Sequence, residues 1–236
     1  MPTQIITRYL SDSRSGAEGD LPPNVLIAEA NHRIANNLTL IAGMLHLRAN
    51  QLGKAAAPLS PREAKLMLAE VSERIQTVGR LHRLLAAADG EDEVNLADYL
   101  RDIAAAAIES MAPDGEMTLS YGLMTPCHAP PQRALLIGFV LGELVTNAVK
   151  YAHPSGVRGR IEMSCERRPD GAVLIRVSDD GVGLPEGFNP RRDGGLGMRT
   201  VRLLTDQLGA TLTFSSEGMG LTARLLAPLT ASAPRG

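Results

Sequence analysis

Two rows of apolar residues, spaced three and four positions apart, run through the first third of the chain. The first row is Ile34, Leu38, Ile41 and Leu45, and the second is Ala64, Leu68, Val71, Ile75, Val78, His82 and Leu85. These steps keep side chains on one face of an α-helix, so each row predicts an amphipathic helix with one buried seam. The stretch "GKAAAPLSP" at 53–61 interrupts the pattern, and Ser60 followed by Pro61 is typical of a helix start. The pattern therefore predicts a helical hairpin in the first third of the chain.

A hairpin of two helices leaves part of each seam uncovered. Two copies of the hairpin would bury both seams in a four-helix bundle, so we expect a homodimer. The alternative is that the hairpin packs against the rest of its own chain.

Beyond a charged linker at 88–95, helical and strand-like patterns alternate. Helices are predicted over 96–111, 130–152 and 196–209, and strands over 116–123, 158–168, 172–180, 210–217 and 220–229. This order is typical of an α/β sandwich with helices on one face of a mixed sheet. The predicted fold class is therefore α+β, with a mobile leader at 1–22, the hairpin at 23–89, a sandwich domain at 95–229 and a flexible tail at 230–236.

Composition narrows the range of partners. Of the 236 residues 44% are hydrophobic, which is enough for a core, while the net charge of −2 and the 3% aromatic content argue against nucleic-acid binding. The longest apolar run, "ALLIGFVLG" at 134–142, is shorter than the ~20 residues that cross a bilayer, so no membrane contact is expected. Cys127 and Cys165 are expected to be reduced structural thiols, and the protein is expected in the cytoplasm.

Three stretches of the second domain carry candidate chemistry. In "GELVTNAVKYA", Glu143, Asn147 and Lys150 share one helix face, where a carboxylate and a carboxamide oxygen suit Mg²⁺ and a lysine can reach a phosphate. In "VSDDGVGLP", a strand ends in acids and glycines that allow close approach to a ligand. In "GGLGMRTVRLL", glycines lead into a helix whose first N–H groups can bind an anion. Each alone also fits an ordinary solvated stripe or turn.

In order and spacing, however, the three stretches together resemble the N box, G1 box and G2 box of the GHKL ATPases, over about 96–229. This fold is shared by histidine kinases, Hsp90-type chaperones, gyrase subunits and anti-sigma kinases. The resemblance implies ATP and Mg²⁺ as cofactors. It implies that Asn147 binds Mg²⁺, that Glu143 organises a metal-bound water, and that Lys150 contacts a phosphate.

The same resemblance implies the adenine and phosphate pockets. Asp179 would bind the adenine, and Thr222 matches a hydroxyl near it. Glycines would shape the adenine pocket and the phosphate side of the lid, namely Gly181, Gly183, Gly195 and Gly197. The lid would be 184–195, from which Arg191 or Arg192 would reach the phosphates, and Phe188 is a candidate for the F box. Tyr151 and His153 stand in exchanged order relative to the family pattern, from which no loss of ATP binding is expected.

The helix of the first apolar row holds a histidine that the seam does not explain. His32 lies two positions before Ile34 and so about 200° around the helix, on the face that should meet water. The segment "EANHRIANNL" resembles the His-Arg-x-x-Asn-Asn phosphoacceptor motif of the second HisKA subfamily of histidine kinases, near the HWE kinases. The resemblance implies that His32 accepts a phosphoryl group. Glu29 would orient the imidazole or accept its proton, and Asn36 would hydrogen-bond the imidazole or the phosphoryl oxygens.

The resemblance thus implies a histidine kinase that phosphorylates His32 from Mg-ATP and passes the group to an aspartate on the receiver domain of a response regulator. Because the leader is short, the signal is expected to arrive through a separate sensor protein or another route. Two other classes stay open. A phosphotransfer adaptor would keep the bundle without kinase activity, and an anti-sigma-type serine kinase would use the ATPase domain without a histidine hairpin.

Overall fold

The structure is a computed structural model, and it describes residues 60–62, 64–65, 68, 72, 76, 79, 93–112, 114–154, 157–216 and 219–229. The first apolar row, with Glu29, His32 and Asn36, lies outside these residues, as does His82. The second row is described at two positions, where Ala64 is half-buried and Leu68 is 64% exposed in the single chain. Leu68 is therefore not covered within this one chain.

Three helices and seven strands make up the described domain. The helices are α1 (Leu96–Met111), α2 (Pro131–Tyr151) and α3 (Leu196–Leu208). The strands are β1 (Val94–Asn95), β2 (Met117–Met124), β3 (His128–Ala129), β4 (Gly159–Arg167), β5 (Ala172–Asp179), β6 (Thr211–Ser215) and β7 (Leu221–Pro228). The largest difference from the predicted bounds is at the end of β6, predicted at 217 and observed at Ser215.

Helix ends follow the local sequence. Asn95 caps α1, because its side-chain oxygen accepts from the Ala97 N–H at 3.2 Å. Helix α2 begins directly after Pro130 with Pro131, which lacks an N–H and is tolerated in the first helical turn because an N–H there would have no partner within the helix. Helix α3 ends at Leu208 and is capped by Gly209, which adopts the left-handed conformation with φ of +62°.

The main sheet has five strands in the order β2-β4-β5-β7-β6. Strand β2 pairs with β4 in parallel, and the remaining neighbours are antiparallel. The sheet is therefore mixed, as predicted. The two-residue strands β1 and β3 form a separate antiparallel pair, which the sequence pattern does not predict because two residues carry no periodicity. His128 lies in β3.

The core lies between this sheet and the helices. Alternate residues of β4 are fully buried, namely Ile161, Met163 and Cys165. Helix α2 is buried along most of its length, and its central side chains Ile137, Phe139 and Val140 are 0% exposed. Cys127 and Cys165 are both free and buried, with their sulfur atoms 3.8 Å apart. The core therefore fixes α2 firmly, and α2 carries three of the candidate site residues.

By length and composition alone, α2 is long and apolar enough to cross a membrane, alone among the helices in the described part of the chain. However, 61% of its most apolar window is buried inside the domain. Burial of this kind is typical of the central helix of a globular core, so α2 is weak support for a membrane span.

Candidate functional site

The second half of α2 runs from the core to the surface, and the solvent exposure of the three candidate residues increases along it. Glu143 is only 9% exposed, Asn147 is half-buried and Lys150 is exposed. The apolar residues between them, Leu144, Val145 and Ala148, are all buried. One side of α2 is therefore fixed in the core while the other presents polar groups at its C-terminal end.

The Asn147 carboxamide is oriented by a methionine of α3. Its nitrogen Nδ2 donates to the sulfur of Met198 at 3.5 Å. A thioether carries no proton and can only accept, so the nitrogen and not the oxygen must face it. The oxygen Oδ1 is then turned away from Met198. This leaves a hard oxygen donor one helical turn from the Glu143 carboxylate, a pair that suits Mg²⁺.

Asp179 closes β5 and is held by the backbone around it. Its Oδ1 accepts from the N–H of Gly181 at 3.0 Å and from the N–H of Leu221 at 3.2 Å. Burial holds the pKa of Asp179 above its ordinary value, against the lowering effect of these two hydrogen bonds. The carboxylate is therefore fixed in place with one oxygen fully engaged, and its second oxygen can accept from an amino group such as that of adenine.

The turn after Asp179 requires glycine. A Cβ on Gly181 would lie 2.3 Å from the carbonyl oxygen of Ala152, and Gly183 has a φ of +73°. The turn is joined to the end of α2 by a hydrogen bond from Val182 N–H to Ala152 O at 2.9 Å. The C-terminal end of α2 thus packs backbone against backbone with this turn, residues 179–183, which is called the acidic turn below.

Two hydroxyl groups lie beside this turn on neighbouring strands. Ser178 and Thr222 stand opposite each other in the β5–β7 pairing, and their hydroxyl oxygens are 2.9 Å apart. Leu221 is the residue opposite Asp179 in this pairing, so the alternation of side chains along the strands puts Thr222 on the face of the sheet away from Asp179, and its role near the adenine stays a prediction. Ser178 had not been identified from the sequence.

The predicted lid, 184–195, forms a series of turns before α3. The Asn189 side chain accepts from the N–H of Arg191, and the Asn189 N–H donates to the Asp193 carboxylate at 2.8 Å. Arg202 of α3 donates through Nη1 to the carbonyl oxygens of Pro190 and Asp193, each at 2.8 Å. The lid is therefore a folded unit fastened to α3, and no local sequence pattern identified Arg202 as its anchor.

The lid ends at glycines where α3 begins. Gly194 has a φ of +100°, and Gly195 caps the helix without a side-chain hydrogen bond to its first N–H groups. Gly197 is buried in the first turn. Such a helix start favours an anion, because its N–H groups and dipole carry partial positive charge. The structure thus brings α2, the acidic turn and the lid together at adjoining ends of their elements.

Two families match the chain, one after the other. The HisKA_2 family, described as histidine kinase, matches residues 29–111. The HATPase_c family, described as histidine kinase-, DNA gyrase B- and HSP90-like ATPase, matches residues 133–231. The second match spans every residue of the nucleotide-site prediction, and the first includes the segment around His32.

Curated relatives are similar in sequence to most of this chain. Blue-light-activated histidine kinase 2 of Erythrobacter litoralis is 28% identical over 207 residues, covering 86% of this chain and 57% of the relative. Sensor histidine kinase PdtaS of Mycobacterium tuberculosis is 27% identical over 202 residues, covering 85% of this chain and 38% of the relative. The chain thus spans only about half, or less, of the length of these relatives.

A solved structure matches in fold as well. The histidine kinase domain from Erythrobacter litoralis EL346 blue-light activated histidine kinase superposes with a TM-score of 0.65 and 25% identity. The match covers 86% of this chain and 92% of that domain.

Proposed function

This chain belongs to the histidine kinases, and from that premise we propose that it is a kinase core that phosphorylates its own His32 from Mg-ATP. It then passes the phosphoryl group to an aspartate on the receiver domain of a response regulator. The proposal includes a homodimer formed by the hairpin at 23–89, a catalytic domain at 95–229 and a cytoplasmic location. A separate sensor protein is proposed as the source of the signal.

The observation that carries this proposal is the held carboxylate of Asp179 beside the open end of α2. An ionised Asp179 accepts from the adenine amino group, which places the base, and the phosphates then extend toward α2 and the start of α3. Lys150 and the first N–H groups of α3 provide positive charge for the phosphates. Phosphoryl transfer depends on positioning and charge neutralisation, which this set of residues can provide.

The residues of α2 fit a magnesium ion. Asn147 presents its amide oxygen because Met198 holds its amide nitrogen, and the Glu143 carboxylate lies one turn earlier. When bound there, Mg²⁺ would neutralise charge on the phosphate oxygens. The chain's own contribution is to orient Asn147 from α3 and to keep Glu143 almost fully buried.

Transfer to histidine forms one bond and breaks one. A free imidazole titrates near pH ~6.5, so much of it is neutral at pH 7 and carries a lone pair on one ring nitrogen. In the proposed step that nitrogen of His32 attacks the γ-phosphorus, the bond from that phosphorus to the bridging oxygen breaks, and ADP leaves with the electron pair. Glu29 is proposed to orient the ring or take its proton, and Asn36 to bond the ring or the phosphoryl oxygens.

The test is incubation of the full chain with ATP labelled in its γ-phosphate, followed by acid and base treatment of the protein. A phosphohistidine predicts label that is lost in acid and kept in base. Label that survives acid would indicate a serine kinase and contradict the proposal. Failure to incorporate label, together with failure to bind nucleotide, would contradict it in favour of a phosphotransfer adaptor.

A further inference from the structure

We propose that His153 is a positioning residue of the nucleotide site, because its imidazole holds Asp180 and so fixes the acidic turn that carries Asp179. The inference rests on the proposed function, since it concerns how the adenine base is recognised. His153 follows the end of α2 and is joined to the turn across 27 positions of sequence.

Two groups hold the same carboxylate oxygen of Asp180. The imidazole nitrogen Nε2 of His153 lies 2.8 Å from Asp180 Oδ1, and the N–H of Arg160 donates to that oxygen at the same distance. The Arg160 N–H, with help from His153, holds the pKa of Asp180 below its ordinary value. An ionised carboxylate can only accept, so Nε2 must carry the proton that it donates. Asp180 is thus held from β4 on one side and from the end of α2 on the other.

The imidazole sits in a space that exists because residue 159 is glycine. A Cβ on Gly159 would lie 2.3 Å from Cδ2 of His153 and 2.5 Å from its Nε2. Contacts this short cannot form without a shift of the ring. The His153 side chain is only 14% exposed, so it is a packed part of the domain and not a solvated surface group.

Holding Asp180 also holds Asp179. The N–H of Gly181, one residue beyond Asp180, donates to Asp179 Oδ1 at 3.0 Å. The next N–H, that of Val182, donates to the carbonyl of Ala152, which precedes His153. His153 and Ala152 therefore hold Asp180 and Val182, the two residues that flank Gly181, so a movement of Asp180 would move the Gly181 N–H that donates to the Asp179 carboxylate.

The contact between His153 and Asp180 should control the selectivity of the site for adenine over hypoxanthine. The amino group of adenine donates to a carboxylate, whereas hypoxanthine has a carbonyl oxygen at that position, which a carboxylate repels. A well-placed Asp179 therefore favours ADP over inosine diphosphate (IDP), and a displaced one does not. A residue that only stabilises the fold would change the affinity for both nucleotides alike.

The experiment measures dissociation constants for ADP and IDP on the full chain by calorimetry. Loss of one hydrogen bond to a charged group predicts that His153→Phe weakens ADP binding about tenfold and leaves IDP binding within about twofold. His153→Gln, whose amide can donate from a position close to Nε2, should restore ADP binding. His128→Phe is the matched control, because His128 is exposed in β3, and it should bind both nucleotides as the original chain does.

The proposal that His153 positions Asp179 through Asp180 is wrong if His153→Phe keeps the preference for ADP, or if this variant loses ADP and IDP binding equally. Asp180→Ala tests the same contact from its other side and, because it also removes the acceptor of the Arg160 N–H, should lose selectivity at least to the same extent. The double variant should lose no more selectivity than Asp180→Ala alone, and additive losses would overturn the proposal. An original chain that binds neither nucleotide would contradict the proposed function itself and not the role of His153 alone.

Discussion

Asp179 meets opposing demands in the folded protein. Burial raises its pKa, so folding disfavours the ionised form that the proposed adenine contact needs. Its folded pKa lies above the unfolded one, so this penalty is full at high pH and is relieved as the pH falls through the folded pKa. Stability of the nucleotide-free chain should therefore rise on mild acidification, as far as this group is concerned.

Asp179→Asn should separate stability from binding. The asparagine oxygen can still accept from the N–H groups of Gly181 and Leu221, while the buried charge is removed. We expect a higher melting temperature at pH 7 together with ADP binding weakened about 10- to 100-fold. Thermal unfolding and calorimetry on the same samples check this, and a lower melting temperature would show that the charge does not cost stability.

Met198→Leu should change the dependence on magnesium. Leucine fills similar space but cannot accept from Asn147, so the carboxamide would no longer be locked with its oxygen toward the metal. We expect the gain in ADP affinity on adding Mg²⁺ to fall about two- to fivefold, with metal-free affinity unchanged. Met163→Leu, in the buried part of β4, is the control. An unchanged magnesium effect in Met198→Leu would show that the sulfur does not orient Asn147.

The sequence indicates the candidate site residues that stand in local patterns, but it does not indicate those that act through contacts with distant positions. Asp179 and Asn147 stand in local patterns, a strand end followed by glycines and a polar face of a helix, and the structure places them as those patterns predict. Their roles stay predictions. Met198 and His153 act through partners 51 and 27 positions away, which no local pattern can reveal.

Arg202 joins two elements, the lid and α3, through two carbonyl oxygens. Arg202→Met keeps much of the aliphatic stem but removes both hydrogen bonds. We expect amide hydrogen exchange in 189–193 to become about tenfold faster, since a lost hydrogen bond of this kind lowers the free energy of local opening. Arg199→Met removes a guanidinium from the same helix and leaves Arg202 in place, so it should not change lid exchange. Equal effects of the two substitutions would exclude Arg202 as the anchor.

Helices α1 and α2 pack with one polar group left without a partner. The hydroxyl of Tyr99 is buried and makes no hydrogen bond, and burial raises its pKa. It faces Gly138, where a Cβ would lie 2.8 Å from the hydroxyl oxygen. The two helices therefore approach closely over a buried hydroxyl that makes no hydrogen bond within the described residues.

Tyr99→Phe should stabilise the domain by about 1 kcal/mol, because it removes an unsatisfied buried hydroxyl and keeps the ring. Urea unfolding measures this as a higher midpoint with an unchanged slope. Tyr121→Phe, at a ring 42% exposed and stacked near Arg101, should change the midpoint little. A lower midpoint for Tyr99→Phe would show that the hydroxyl has a partner in solution.

The helices and longer strands of the described domain were predictable because each carries several periods of its pattern. The pairing order of the sheet was not, because it depends on contacts between distant strands. The fold as a mixed sheet with helices on one face followed from element order, and the family matches confirm the kinase class. The domain boundaries at 22, 89 and 95 stay predictions.

At the scale of the whole molecule, one claim joins the two parts of the chain: the nucleotide site of 95–229 phosphorylates His32. The most direct measurement is incorporation of label from γ-labelled ATP into the original chain, His32→Ala and His46→Ala, with the modified peptide identified by mass spectrometry. We predict acid-labile label on the peptide containing His32 in the original chain and in His46→Ala, and none in His32→Ala. Label retained by His32→Ala at the original level would contradict the account.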